Sequence, residues 1–210
     1  MHPTFCDYLV ELVHNAFEAG ADRVDAELSE PGPWMGIEVS DNGPGMSAEC
    51  RREAQDAFVT DPAKHAHRKV GLGLAFLRQL ADQTGGELAL ESSPARGARI
   101  RCRIPSGHWD APPVGDVAGT AAQLMAYAAT GPWRGAVLAF HRRGDADGWS
   151  VTSEALAEAA GPLESAGAQA RARLWLESQE KEFQQNRRPV RDGGGAAPAA
   201  RGCRMSPSGV

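Results

Sequence analysis

The chain has 210 residues and a formal net charge of −5, so it is long enough for one sizeable core with a small annex. The acidic balance leaves no electrostatic footprint for nucleic acid, and no apolar run reaches the roughly 20 residues of a membrane span. The first residues lack the basic and apolar segments of a secretion signal, and the four cysteines form no CxxC pair. These features predict a cytoplasmic protein with reduced thiols, with neither nucleic acid nor membrane among its partners.

The pattern of the first hundred residues predicts a mixed unit of helices and strands. Its elements, in chain order, are a helix at 5–19, strands at 24–28 and 35–39, a helix at 47–57, a helix after Gly73, and a two-stranded hairpin ending near 104. Residues 58–70 have no hydrophobic period, contain a proline and cluster positive charge, which predicts a loop. This order favours helices on one face of a largely antiparallel sheet.

A second, smaller unit is predicted after a proline- and glycine-containing stretch near 105–116. Its elements are a helix at 117–128, strands at 135–142 and 148–152, a helix from Ser153, and a last helix at 166–186. The low-complexity segment that follows cannot bury a core, so we expect a disordered tail. The predicted division is an N-terminal domain at 1–105, an α/β annex at 117–186 and a tail at 187–210.

Two polar residues of the first helix are candidates for chemistry. Glu11 and Asn15 are four positions apart, so their side chains project side by side. A solvated polar face would also explain them, although asparagine is a poor residue for a helix interior. The amide oxygen of Asn15 could bind Mg²⁺, which takes few protein ligands when phosphates supply the others. Glu11 could then orient a nucleophile or accept its proton.

A turn after the second strand offers a site for a nucleotide base. Asp41 precedes Gly43 and Gly45 there, and it could simply cap the turn. Alternatively, its carboxylate could accept a hydrogen bond from the amino group of adenine, while the two glycines let the backbone approach the base.

A second glycine turn opens the helix that follows the basic loop. Backbone N–H groups at a helix start, here around Gly71 and Gly73, form a ready anion site. Lys64 and Lys69 lie just upstream, where they could contact the terminal phosphates of a nucleotide or remain solvated.

Three ordered motifs resemble the N box, the G1 box, and the G2 box with terminal hairpin of the GHKL ATPase superfamily, which includes gyrase, Hsp90, histidine kinases and MutL. They read ELVHNAFEAGAD, SDNGPGM and KVGLGLAFLRQLADQTGGELALESSPARGARIRCRIP. The resemblance covers roughly residues 5–105. It implies an α+β fold, a Bergerat-type two-layer α/β sandwich that binds ATP with Mg²⁺ beneath a mobile lid at 58–70.

The resemblance also implies a role for each motif residue. Glu11 would be the catalytic residue, Asn15 would hold Mg²⁺ and contact the nucleotide, and Asp41 would bind adenine. The other nucleotide-binding residues that the resemblance implies are Gly43, Gly45, Met46, Thr60, Lys64, Lys69, Gly71, Leu72, Gly73 and Leu74.

Within the superfamily, different residues of the chain resemble different groups of members. Glu11 matches gyrase- and MutL-like members, whereas Phe58, Thr60 and Lys64 are similar to histidine kinases, although Lys69 stands where kinases have a glycine. No helix pair with a phosphoacceptor histidine is expected upstream, so any acceptor would lie on another protein. The implied functions are a kinase acting in trans in bacterial signal transduction, a slow ATPase, a nucleotide-dependent protein-binding switch of the anti-sigma type, or a protein with structural ATP.

Overall fold

The computed structural model of the chain describes residues 3–57, 72–130 and 132–187. The helices in these ranges are Phe5–Glu18 (α1), Ala48–Ala57 (α2), Leu72–Thr84 (α3), Val117–Thr130 (α4), Ser153–Ala160 (α5) and Ala166–Asn186 (α6). The strands are Arg23–Ser29 (β1), Trp34–Asp41 (β2), Glu87–Ser92 (β3), Ala98–Pro105 (β4), Val137–Arg143 (β5) and Gly148–Thr152 (β6). Each lies where the hydrophobic pattern predicts an element. The predicted lid at 58–70 and the tail residues 188–210 lie outside the described residues.

Helix α1 carries two of the candidate residues, and a capping pair fixes its start. The Asp7 N–H donates to Thr4 Oγ1 at 3.2 Å, and the Thr4 N–H donates to Asp7 Oδ2 at 2.6 Å. The buried side of α1 is the stripe predicted from helical spacing, Leu9, Leu12, Val13, Ala16 and Phe17. Because this stripe packs on the sheet, Glu11 is left exposed and Asn15 half-buried.

A six-stranded sheet forms the second layer of the described structure, in the order β3-β4-β2-β1-β5-β6. Its neighbouring strands are antiparallel except for β1 and β5. Strand β4 alternates as predicted, with Ile100, Cys102 and Ile104 buried beneath the helices. The fold is therefore α+β, with helices on one face of the sheet. No helix in the described ranges combines the length and apolar character that crossing a membrane requires.

The segment predicted as a separate annex continues the same sheet. Strand β5 pairs in parallel with β1, from Arg23↔Val137 to Ser29↔Arg143, and thereby satisfies backbone groups that a free edge would expose. Helix α4 packs against α1, and buried residues of both segments form one hydrophobic cluster. The stretch 105–116 thus interrupts the sequence pattern without interrupting the core.

A buried arginine fastens α6 to the sheet. Arg142 on β5 is fully buried, and its guanidinium group donates to the carboxylates of Glu30 and Glu180, the latter at 3.3 Å. It also lies 4.3 Å from the ring centroid of Phe183, and Arg187 pairs with Glu30 at 2.8 Å. Charges are tolerated in a core when they are paired in this way. The network lies where β1 ends, whereas Asp41 pairs with Val24 where β1 begins.

Candidate functional site

Two backbone N–H groups hold the carboxylate of Asp41 at the end of β2. Gly43 donates to Oδ1 at 2.8 Å, and Ala98 donates to the same oxygen at 3.3 Å. No residue in the described ranges donates to Oδ2, so a ligand could supply the donor there. Burial raises the pKa of Asp41 above its ordinary value, and the two N–H groups offset this effect only in part. The carboxylate is therefore a half-buried, fixed acceptor of the kind expected to bind an amino group.

Glycines pack the Asp41 turn tightly onto the β3–β4 hairpin. Gly45 and Gly97 have φ values of 66° and 70°, a left-handed conformation that glycine adopts without strain. A Cβ at Gly45 would collide with the Ser93 carbonyl oxygen, and a Cβ at Gly97 would collide with that of Asp41. At Gly43 a Cβ would lie 2.9 Å from Asp41 Oδ1. The glycines thus have internal packing roles, in addition to the approach to a base that the sequence predicts.

A second set of hydrogen bonds links the same turn to the hairpin. The Met46 N–H donates to Ser92 Oγ at 2.9 Å, and the Ser92 hydroxyl donates to the Gly97 carbonyl oxygen at 2.7 Å. Arg51 donates to the Ser92 carbonyl oxygen at 3.0 Å, and Met46 packs half-buried against the core. Sequence reasoning missed Ser92 and Gly97; their signal is the Ser-Ser-Pro-Ala-Arg-Gly turn inside the third motif.

Asn42 ties the Asp41 turn to the start of β1. Its Oδ1 accepts the N–H groups of Asp22 and Arg23 at 3.1 and 3.0 Å, and its Nδ2 donates to Asp22 Oδ1 at 2.6 Å. Because α1 leads into β1 through a short turn at Gly20, this clamp fixes the end of α1 relative to Asp41.

Glu11 lies directly against the start of α3. A Cβ on Gly73 would lie 3.0 Å from Glu11 Cβ and 3.5 Å from Glu11 Oε2, so a larger residue there would require Glu11 or the helices to shift by a few tenths of an ångström. Asn15 follows one turn along α1. The fold therefore brings the first and third motifs together. A carboxylate and an amide oxygen beside a helix N-terminus form a donor set that fits Mg²⁺ bound to nucleotide phosphates.

The structure describes only two of the remaining predicted nucleotide-binding residues, Leu72 and Leu74. The side chain of Leu74 is buried in the core, so a contact from this residue to a nucleotide would come from its backbone. Leu72 is the first residue of α3. The predicted residues outside the described ranges are Thr60, Lys64, Lys69 and Gly71.

Comparison with known proteins bears on the first half of the chain. The family described as "Histidine kinase-, DNA gyrase B-, and HSP90-like ATPase" matches residues 4–108, which is half of the 210 residues. That range contains α1, the Asp41 turn, α3 and the β3–β4 hairpin.

Several sensor kinases are similar to part of the chain. Sensor histidine kinase DcuS of Escherichia coli (strain K12) is 32% identical over 111 residues, which are 51% of this chain and 19% of DcuS. Sensor-type histidine kinase PrrB of Mycobacterium leprae (strain TN) is 36% identical over 85 residues, 40% of this chain and 19% of PrrB. The chain thus spans less than a fifth of the length of either relative.

Among solved structures, the NMR structure of the histidine kinase domain of the E. coli osmosensor EnvZ is 28% identical. The similarity covers 47% of this chain and 61% of that domain, with a TM-score of 0.34. From the family match, the chain belongs to the histidine kinase-, DNA gyrase B- and HSP90-like ATPase family, and its first half is an ATP-binding domain of the kinase and ATPase type.

Proposed function

We propose that the chain binds Mg-ATP between α1, the Asp41 turn and the start of α3, and transfers the γ-phosphoryl group to a partner protein. Slow transfer to water would be the basal reaction of the same site. The observation that carries this proposal is the approach of Glu11 to Gly73, because it brings a carboxylate and a nearby amide to a helix end suited to phosphate. Phosphoryl transfer depends mainly on positioning and charge neutralisation.

Asp41 supplies selectivity for the base. Its Oδ1 accepts the N–H groups of Gly43 and Ala98, which leaves Oδ2 as the oxygen proposed to accept from a ligand. Adenine carries an exocyclic amino group that can donate to this oxygen. A base with a carbonyl oxygen at that position would place one acceptor against another.

Asn15 and Glu11 act at the phosphate end. Asn15 would hold Mg²⁺ through its amide oxygen, and the ion, when bound, neutralises phosphate charge. Glu11 orients the nucleophile and accepts its proton while a new bond forms to the γ-phosphorus. The bond from that phosphorus to the bridging oxygen breaks, and ADP leaves with the electron pair.

The relatives favour a protein acceptor over water. Sensor histidine kinases are among the proteins that match, which supports a role in signal transduction with phosphotransfer to a histidine, serine or other nucleophilic side chain. We place this reaction in the cytoplasm, where ATP is available and the free thiols of Cys6 and Cys102 stay reduced.

A nucleotide-dependent protein-binding switch of the anti-sigma type is the second candidate. It is favoured by the packing of α4, which lies outside the family match, against α1. Through this contact, binding of the nucleotide could alter a protein-binding surface without hydrolysis or phosphotransfer.

Incubation of the protein with γ-labelled ATP, alone and with a lysate of the source cells, separates these functions. We expect a labelled protein band in the lysate and little free phosphate from the protein alone. Abundant free phosphate would indicate an ATPase, whereas ATP binding without label transfer or hydrolysis would indicate a switch. Absence of ATP binding in a parallel equilibrium measurement would overturn the proposal.

A further inference from the structure

An aromatic cluster joins α1 to the segment beyond the family match. The His14 and Tyr127 rings have centroids 4.6 Å apart, and the Tyr127 and Trp133 rings meet edge to face at 4.9 Å. Trp133 in turn stacks on Phe17 at 5.6 Å, with 19° between the ring planes. These separations are typical of favourable aromatic pairs. Two rings therefore come from α1, one from α4, and one from the turn that follows α4.

The α1 members of this cluster flank the residue proposed to hold Mg²⁺. His14 directly precedes Asn15, and Phe17 follows it by two positions. Phe17 is fully buried, whereas the other three rings are half-buried. Rotation or sliding of this turn of α1 would separate both α1 rings from their partners, because packed side chains occupy discrete positions.

The segment that follows α1 is held by contacts that do not involve the aromatic cluster. Asn42 clamps Asp22 and Arg23 through hydrogen bonds of 3.0–3.1 Å, and the adenine-binding carboxylate of Asp41 is held by its own N–H donors. Loss of the aromatic cluster would therefore change the position of Asn15 without changing the acceptor for the base.

We infer that Tyr127 and Trp133 are positioning residues that hold the Asn15 turn of α1, so that the C-terminal half of the chain sets how strongly Mg²⁺ supports nucleotide binding. This inference rests on the proposed function, in which the Asn15 amide oxygen binds the ion. Both residues lie outside the range of the family match. Binding groups are effective only when neighbouring side chains lock their geometry.

Calorimetric titration of the full chain with ATP, once with Mg²⁺ and once with EDTA, tests the inference. In Tyr127→Leu and in Trp133→Leu, we expect the gain in affinity from Mg²⁺ to fall by about 10-fold, less than the effect of a full 1 Å misplacement. ATP affinity in EDTA should not change. Tyr127→Phe keeps the ring and should restore the Mg²⁺ effect.

Trp149→Leu is the matched control. It removes another stacked pair of the C-terminal half, in which Trp149 and Phe140 lie 5.4 Å apart, and also a hydrogen bond from Trp149 to Glu180. We expect this variant to lose stability in thermal unfolding and to keep the full Mg²⁺ effect. An equal loss of the Mg²⁺ effect in Trp149→Leu would overturn the inference, because general destabilisation would then explain the result.

Two further variants keep the outcomes distinct. Retention of the Mg²⁺ effect in Asn15→Ala would refute the ion-binding role in the proposed function. If Asn15→Ala loses the Mg²⁺ effect but Tyr127→Leu and Trp133→Leu keep it, the inference is refuted and the proposed function is not. If Trp133→Leu does not fold, His14→Ala removes a half-buried ring of the same cluster, and an unchanged Mg²⁺ effect there would overturn the inference too.

Discussion

The carboxylate of Asp41 is held by two backbone N–H groups, and Gly97 is the residue that lets one of them, that of Ala98, come close. In Gly97→Ala the new Cβ would collide with the Asp41 carbonyl oxygen, so the hairpin must move and carry the Ala98 N–H away. We expect the free energy of unfolding to fall by about 2–4 kcal/mol, from left-handed strain plus the collision, and ATP affinity to fall with it. Denaturant unfolding and calorimetry measure the two effects.

Gly85→Ala is the control for that substitution. Gly85 has nearly the same φ, 69° against 70° at Gly97, but in the described part of the chain a Cβ there would meet nothing within 4 Å. We expect a loss of only about 1–2 kcal/mol from backbone strain and unchanged ATP affinity. Equal losses of affinity in the two variants would show that the contact of Gly97 with Asp41 has no part in binding.

Asp41→Asn separates binding from stability. Because burial raises the pKa of Asp41, the ionised carboxylate destabilises the fold above the raised pKa, and this penalty disappears as the pH falls below the ordinary value of about 3.9. Asparagine keeps an oxygen for the N–H groups of Gly43 and Ala98 but carries no charge. At neutral pH, we expect the free energy of unfolding of Asp41→Asn to equal or exceed that of the wild type. In acid, the two values should become equal.

ATP binding should nevertheless be lost in Asp41→Asn, because Nδ2 presents a donor to the amino group of adenine. Denaturant unfolding at several pH values and calorimetry at neutral pH test both parts. A variant that is much less stable than the wild type at neutral pH, or one that still binds ATP, would refute this assignment.

Among the helices and strands, the elements and the local β3–β4 hairpin were predictable, whereas the partners distant in sequence were not. The stripe of α1 and the alternation of β4 follow from burial of one face, whatever packs opposite. The parallel pairing of β5 with β1 joins segments far apart in the chain, and no local pattern encodes it. For this reason the sequence predicted a separate annex where the structure has one continuous sheet.

The candidate site likewise contains some residues that the sequence pattern indicates and others that only the structure shows. Glu11, Asp41 and Gly73 were identifiable as candidates because their residue types and spacing suit one chemistry. The N–H of Ala98 was not, because a backbone donor leaves no signature in the sequence. The hydroxyl of Ser92, although a side chain, acquires its role only when the hairpin packs onto the Asp41 turn.

The buried ion pairs between α6 and the sheet make the free energy of unfolding depend on pH. Burial alone would raise the pKa of Glu30, but Arg142 and Arg187 more than offset burial, so its pKa lies below the ordinary value. Such a carboxylate stabilises the fold above its ordinary pKa of about 4.3, and the stabilisation is lost as the pH falls through the lower folded value. We expect Glu30→Gln to lower the free energy of unfolding at neutral pH by about 3 kcal/mol and to flatten its decline in acid.

Glu27→Gln provides the comparison for Glu30→Gln. Glu27 pairs with Arg143 at 2.7 Å, but the two side chains are 31% and 58% exposed. We expect a change within about 1 kcal/mol, as for other surface pairs. Denaturant unfolding at neutral and acidic pH compares the variants, and losses of equal size would show that burial does not distinguish the two pairs.

For the chain as a whole, a substitution at Glu11 tests the chemistry proposed to follow ATP binding. We expect Glu11→Ala to lower hydrolysis by about 10²-fold, the lower end for a positioned base, or, when a partner protein is the acceptor, to suppress its labelling. ATP affinity should change little, because the proposed function assigns the ground-state contacts to Asn15 and Asp41. Glu18→Ala, at an exposed glutamate of the same helix, should leave both readouts unchanged. Undiminished hydrolysis and labelling in Glu11→Ala would leave the protein-binding switch as the better function.

Nucleotide selectivity underlies every role proposed for this site, and calorimetric titration of the full chain with ATP and with GTP, each with Mg²⁺, measures it. GTP presents a carbonyl oxygen where ATP presents an amino group, so Asp41 would lose its donor and face an acceptor. We predict that ATP binds at least about 10-fold more tightly than GTP, as an unsatisfied buried group costs about 1–3 kcal/mol, and that Asp41→Ala removes ATP binding. Equal affinities for the two nucleotides, or ATP binding that survives in Asp41→Ala, would contradict the proposed site.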